Sequence, residues 1–131
     1  MLPDGRFVVA IDFDGVINNY QGWKGIGVFE EPVPGTAQAL SYMRKLNMVI
    51  IIHTTRGEAN MIADYLNHHH IPFDHINRLP GQPDHQNLGK PQADVFIDDR
   101  AIRFEGNWNE IMHQLFSKLQ PWYKNTNKGD Q

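Results

Sequence analysis

Two pairs of carboxylates stand just past two apolar runs. Asp12 and Asp14 follow Phe7–Ile11 (FVVAI), and Asp98 and Asp99 close Asp94–Ile97 (DVFI). Residues i and i+2 of an extended chain point to the same side, so Asp12 and Asp14 lean into one site. Gly15, directly behind them, permits a tight turn away. A lone D-x-D could be an ordinary turn in which an Asp accepts backbone hydrogen bonds. A second acidic pair at the end of another apolar strand argues for more. Carboxylates that converge raise one another's pKa unless a cation neutralises them. The ligands on offer are oxygens, which suit a hard cation, and Mg²⁺ is the natural choice for Asp12, Asp14, Asp98 and Asp99.

A Mg²⁺ held by a few carboxylates keeps positions for water and for a substrate phosphate. Other strand ends carry what a phosphate needs. Thr54 or Thr55, after the run Met48–Ile52 (MVIII) and His53, offers a hydroxyl donor, and Lys90 offers a point charge. Phosphoryl transfer asks mostly for positioning and charge neutralisation, and these residue types supply both. Arg56 and Arg100 could take a remote phosphate or carboxylate of the substrate, or could ion-pair with the site's own carboxylates.

The elements that must position these groups alternate. Phe7–Ile11 reads as a strand buried on both faces, and Asn18–Glu31, rich in Gly and aromatics, as a loop or small hairpin forming a flap. Thr36–Leu46 repeats apolar residues at helical spacing (Ala37, Leu40, Met43), and Met48–Ile52 is a second buried strand. Glu58–His69 predicts a helix with Ile62, Tyr65 and Leu66 inward, Phe73–Ile76 a short third strand, and Asp94–Ile97 a fourth. Asn107 or Asn109 caps a last helix running to about Leu119, with Trp108, Leu115 and Phe116 expected in the core and 121–131 as a flexible tail. Alternating strands and helices imply a parallel sheet with helices on both faces, and ligands of such sheets bind at the carboxyl edge.

The totals fit one compact domain, expected over residues 1–120. The chain has 131 residues, 40% hydrophobic and 21% charged, enough to bury a core. Its net charge of −3 advertises no broad nucleic-acid face, so nucleic acid is expected only as a substrate. The absence of cysteine removes disulfides, thiolate zinc sites and cysteine nucleophiles, and suits a reducing cytoplasm. No apolar stretch approaches the ~20 residues of a membrane span, so no membrane partner is expected.

"DFDGVIN", "IIIHTTR", "GKPQADVF" and "VFIDDR" occur in this order, and the ordered set resembles the four motifs of the haloacid dehalogenase (HAD) superfamily of phosphotransferases. The resemblance covers Phe7 to about Trp108. It implies a Rossmann-like three-layer sandwich with a mostly parallel central sheet, and a Mg²⁺-dependent phosphatase acting through an aspartyl-phosphate. In that family's terms Asp12 would be the nucleophile, and Asp14 would give its proton to the leaving oxygen and take one from water, its carbonyl binding the metal. Thr54, rather than Thr55, would hold the phosphoryl oxygens, Lys90 would steady the nucleophile and the phosphoryl group, and Asp99 would bind Mg²⁺ directly, with Asp98 direct or through water. The segments between motifs are too short for a cap domain, so the site should be open to a small phosphomonoester or a phosphorylated polymer end. Alternatively the flap or a neighbouring subunit could cover it. "IDDR" is similar to motifs of nucleotidases and polynucleotide-end phosphatases, which puts nucleotides first and sugar phosphates second.

Two rival functions use the same residue types. A phosphoacceptor signalling domain carries acidic residues, a Thr and a Lys on a parallel sheet, but its acceptor Asp stands on a middle strand, where this chain has "HTTR". A catalytically idle phosphate-binding protein on the same scaffold is the other. In the flap, Tyr20, Trp23 and Phe29 could stack on a base or sugar, or pack the flap down. The run His68-His69-His70 looks like a metal tract, but consecutive helical residues diverge, and histidine near a helix C-terminus is favourable in itself.

Overall fold

In the computed structural model, residues 1–83, 85, 86 and 89–128 are described, with side chains described through residue 119. Positions 84, 87 and 88, between the expected third and fourth strands, lie outside the described residues, as does the end of the expected tail. The elements in chain order are β1 (Val8–Asp12), α1 (Thr36–Lys45), β2 (Val49–His53), α2 (Ala59–His68), β3 (His75–Ile76), β4 (Val95–Ile97) and α3 (Trp108–Lys128). The chain divides into two compact units, Met1–Asp99 and Arg100–Gln131.

The first unit is an α/β fold built on a four-stranded parallel sheet in the order β3-β2-β1-β4. Strand β1 pairs with β2 from Val8↔Val49 to Asp12↔His53 and with β4 from Val9↔Val95 to Ile11↔Ile97. From β1 to β2 to β3 the chain steps across the sheet in one direction. Right-handed crossovers then place both connecting helices on the same face. The core agrees: Leu40 of α1 and Ile62 and Leu66 of α2 pack with Val9, Ile11, Ile50 and Ile52. The alternate residues Val8, Ala10, Val49 and Ile51 face the other way, closed over by Leu79, Leu2 and Ala93. Reaching β4 requires the chain to return past β1, and the segment that does so carries Leu79 and Ala93 across the second face.

Local chemistry sets the element ends. Helix α1 has Arg44 and Lys45 in its last turn, where cations complement the helix dipole, and Asn47 in the left-handed region (φ 64°) lets Met48 N–H bond Met43 C=O at 3.1 Å. Helix α2 stops in the same way at His70 (φ 57°), with Ile71 N–H on Leu66 C=O at 2.8 Å, and the His69 ring lies 4.6 Å from that of Tyr65. At the amino edge of the sheet, Asp74 accepts the Ile50 N–H of β2 and Asp94 the Val8 N–H of β1, and they pair with Arg44 and the N-terminal ammonium. These acids are structurally spent.

Strand β4, an edge strand with β1 as its one neighbour, leaves more than a third of the surface of Val95, Phe96 and Ile97 each exposed. One expectation about burial is corrected. In the second unit, Trp108, Leu115 and Phe116 are exposed rather than core, since a single helix offers its own apolar stripe little to pack on beyond the Phe104 ring, 4.9 Å from Trp108. Asn107 is the cap, accepting Glu110 N–H at 3.2 Å. The helix runs past the expected end at Leu119, through Pro121 to Lys128. Among the described residues, no helix is long and apolar enough to cross a membrane.

Candidate functional site

In a parallel sheet a crevice opens at the carboxyl edge where successive connections leave on opposite faces. Here that point lies between β1 and β4, the two strands that end in acidic pairs. Because Ile11 is level with Ile97, the next residues, Asp12 and Asp98, come level one step on. Asp12, Asp98 and Asp99 offer carboxylate oxygens that lie within 4.8 Å of one another.

Such crowding has an electrostatic consequence. Asp12 is pushed up to about 7, first by burial, then by the charge of Asp98 and by Asp99, partly offset by a hydrogen bond from Phe13 N–H at 2.9 Å. The donor set, three carboxylates with no sulfur or imidazole, fits a hard divalent cation, and such a cation would relieve the repulsion. Gly15 makes the approach of Asp99 feasible. A Cβ there would lie 2.2 Å from Asp99 Oδ2, and the φ of 88° is one that side-chain-bearing residues rarely adopt.

The Asp12 shift gives the metal-free protein a distinctive pH dependence. Its folded value near 7 lies above the unfolded value of 3.8, so between those limits the folded state holds the extra proton. The stability this proton contributes is complete below about 4 and is lost as the pH rises through 7. Thermal melts of wild type and Asp12→Asn in EDTA, from pH 5 to 8, should show wild type losing ground to the variant as pH rises. Added Mg²⁺ should raise the wild-type Tm more at pH 8 than at pH 5. A Mg²⁺ effect that is absent, or equal at both pH values, would remove the cation from this site.

Asp14 faces elsewhere. Its Oδ2 accepts Arg56 Nε at 2.7 Å and its Oδ1 accepts Asn18 Nδ2 at 2.9 Å. Arg56, with a side chain only 3% exposed, also reaches Glu58 at 3.1 Å, and its guanidinium lies between the Trp23 and Phe29 rings at 4.8 and 4.9 Å. Burial by itself would lower the Arg56 pKa, but hydrogen bonds and charge from Asp14 and Glu58 more than offset it, and the net shift is upward. Of the two roles the sequence leaves open to Arg56, this is the ion pair. Glu58 is held below the usual carboxylate range, chiefly by the Gly27 N–H at 2.8 Å and then by Arg56.

The flap is thus tied to the rest of the first unit, by Tyr65 O–H on Glu30 C=O at 2.7 Å as well as by Gly27 on Glu58. It is braced within itself by Glu30 N–H on Asn18 Oδ1 at 2.7 Å and Lys24 with Glu30 at 2.6 Å. Burial, then the charges of Glu31 and Glu30, push the Tyr65 phenol up to about 12, so it remains a donor. Phe29 packs edge-on against Phe13 and Tyr65 at 5.2 and 5.1 Å, whereas Trp23 stays 59% exposed.

Thr54 stands at the end of β2, its N–H donating to Asn77 Oδ1 at 2.7 Å and its Oγ1 accepting Arg56 N–H at 3.1 Å. Thr55 is exposed and lines an open cavity of about 610 Å³ together with Asp14, Tyr20, Trp23, Arg56 and Glu58. Lys90 is exposed, with its ammonium 5.1 Å from the centre of the Phe96 ring, and among the described residues it forms no ion pair. Arg100 belongs to the second unit and is itself engaged in an interaction. Sequence reasoning missed the roles of Asn18, buried to 1% exposure and bonding both Asp14 and Glu30, and of Glu58, the anchor of Gly27. The only hint was their spacing, four residues after Asp14 and two after Arg56.

No family model matches the chain, and no curated protein matches it. Among solved structures it is similar to a conserved protein from Bacteroides thetaiotaomicron, 23% identical, with a TM-score of 0.63 over 86% of this chain and 92% of that one. A protein from Vibrio cholerae is 26% identical over 86% of this chain and 98% of that one, with a TM-score of 0.48. The Bacteroides likeness shows a shared fold. Fold and site together define a small parallel α/β protein with an acidic centre at the carboxyl edge of its sheet.

Proposed function

We propose that the protein is a Mg²⁺-dependent phosphomonoester hydrolase of the haloacid dehalogenase type, working through a phosphorylated Asp12. The observation that carries this reading is the convergence of Asp12, Asp98 and Asp99 at the switch point of the sheet, with Asp14 and Thr54 on adjoining ends. Asp12, Asp98 and Asp99 would hold the cation, which when bound neutralises charge on the carboxylates and the phosphate.

The steps fall to the chain's own residues. An oxygen of Asp12 attacks phosphorus in line, the bond from phosphorus to the leaving oxygen breaks, and that oxygen takes a proton from Asp14. Water then attacks the aspartyl-phosphate, its proton passes to Asp14, and the bond from phosphorus to Asp12 breaks, releasing phosphate. Arg56 and Asn18 hold one lone pair on each oxygen of Asp14, which fixes the carboxyl and leaves the second lone pairs for the proton. The Thr54 hydroxyl, already accepting Arg56 N–H, has its own proton to donate to a phosphoryl oxygen. The flexible stem of Lys90 lets its ammonium leave Phe96 for the phosphate.

The test is phosphate release from a panel of phosphomonoesters: nucleotides, sugar phosphates and a 3′-phosphorylated oligonucleotide, in Mg²⁺ and in EDTA. Turnover of at least one compound, lost in EDTA, is expected. A panel inert in Mg²⁺ would end the phosphatase reading, and a phosphorylated protein that persists without turnover would mark a phosphoacceptor domain instead.

A further inference from the structure

The cavity beside Asp14 is built by two opposed walls. Tyr20, Trp23 and Ile26 of the flap form one, and Thr55, Arg56, Gly57 and Glu58 form the other. Phe29 has sunk into the core and anchors the flap, but Trp23 keeps 59% of its surface, and Ile26 70%, open to solvent. Arg56 supports the Trp23 ring at 4.8 Å, so the indole is held in place and not merely loose on a loop. An exposed Trp held by a buried cation at the mouth of a cavity is a surface prepared for a flat apolar partner.

The charge of the cavity narrows that partner. With Asp14 carrying the proton that the leaving oxygen takes, the charged side chains that remain are Glu58 and Arg56, which pair with each other and cancel. Arg56 is bonded to both acids and buried, so it does not present a free cation to a second anionic group. A leaving group carrying further phosphates, as in a polynucleotide end, gives up hydration there with no free cation in return. A neutral one does not.

Resting on the phosphatase reading, in which the leaving oxygen faces Asp14, we propose that this cavity is the leaving-group subsite and that it selects neutral leaving groups bearing a flat aromatic ring, as in a nucleoside monophosphate, with Trp23 as the stacking surface. The volume of about 610 Å³ accommodates a nucleoside.

The experiment compares adenosine 5′-monophosphate, ribose 5-phosphate and adenosine 3′,5′-bisphosphate. Equilibrium binding of each is measured calorimetrically to the Asp12→Asn protein with Mg²⁺, and kcat/KM for each on the wild type. Stacking of one base is worth about tenfold or more, so the monophosphate should bind at least about tenfold more tightly than ribose 5-phosphate. The bisphosphate should bind more weakly than the monophosphate. Adding Trp23→Ala should abolish the preference for the base, and Trp23→Phe should retain most of it. Equal binding of nucleotide and sugar phosphate, tighter binding of the bisphosphate, or a base preference that survives Trp23→Ala would each overturn the subsite. Failure of the phosphatase reading looks different: no phosphate leaves any of the three compounds, while the order of binding still reports on the cavity.

Discussion

Asp12→Asn is expected to lower kcat for phosphate release by at least about 10³-fold, because it removes the atom that would bond phosphorus. The fold should survive, since an amide oxygen can accept the Phe13 N–H that Asp12 accepts equally well. Stability should move in the opposite direction to activity. Three carboxylates offering oxygens within 4.8 Å repel one another, and at a partly exposed edge each pairwise repulsion is worth roughly 1 kcal/mol. Removing the Asp12 charge lifts two of the three repulsions, roughly 2 kcal/mol, and without metal at pH 8 should therefore raise the Tm by about 6–10 °C. Mg²⁺ should stabilise the variant less than the wild type. Phosphate-release kinetics and melts on the same preparation check both halves. Undiminished turnover would dismiss Asp12 as nucleophile, and a lowered metal-free Tm would dismiss the repulsion.

The largest loss of stability is expected from Arg56→Met, about 3 kcal/mol or more by urea denaturation. Methionine fills similar space between Trp23 and Phe29 but leaves Glu58 and Asp14 facing each other without their shared cation. Breaking a buried pair from one side costs about 3–5 kcal/mol, mostly because the partner's charge remains behind. Adding Glu58→Gln should therefore recover part of the loss. Arg56→Lys should help little, because a point charge cannot bridge two carboxylates as the guanidinium fork does. A loss below about 1 kcal/mol for Arg56→Met would mean that the guanidinium is better solvated than the 3% exposure of its side chain indicates. The flap should also loosen, since Trp23 and Phe29 both lean on Arg56, and activity should fall with it.

Much of the site was legible because its residues are local to strand ends. The runs FVVAI and MVIII announce strands by composition alone, and whatever follows a parallel strand lies at the carboxyl edge. That places Asp12, Thr54 and the Asp98–Asp99 pair together without any coordinates. Arg56 was half legible: its position after "HTT" brought it to the edge, yet the choice between substrate contact and ion pair depended on a carboxylate 42 positions earlier. Asn18 and Glu58 carried no signal of their own, because a buried Asn or Glu is defined by partners that the linear order does not name.

By itself, then, the sequence determined the alternation of strands and helices, the parallel sheet and the acids at its edge, since these follow from periodicity and from what each residue type costs to bury. Only the tertiary structure decided which acids share one centre and which are tied off. Asp12, Asp98 and Asp99 converge, while Asp14 is bound by Arg56 and Asn18, and Asp74 and Asp94 serve the strand starts. It also separated Phe29, packed in the core, from Trp23, left open beside Asp14. The reason is physical: chemistry and local conformation are properties of neighbouring residues, whereas convergence, burial and charge pairing depend on distances that only the crossover connections set.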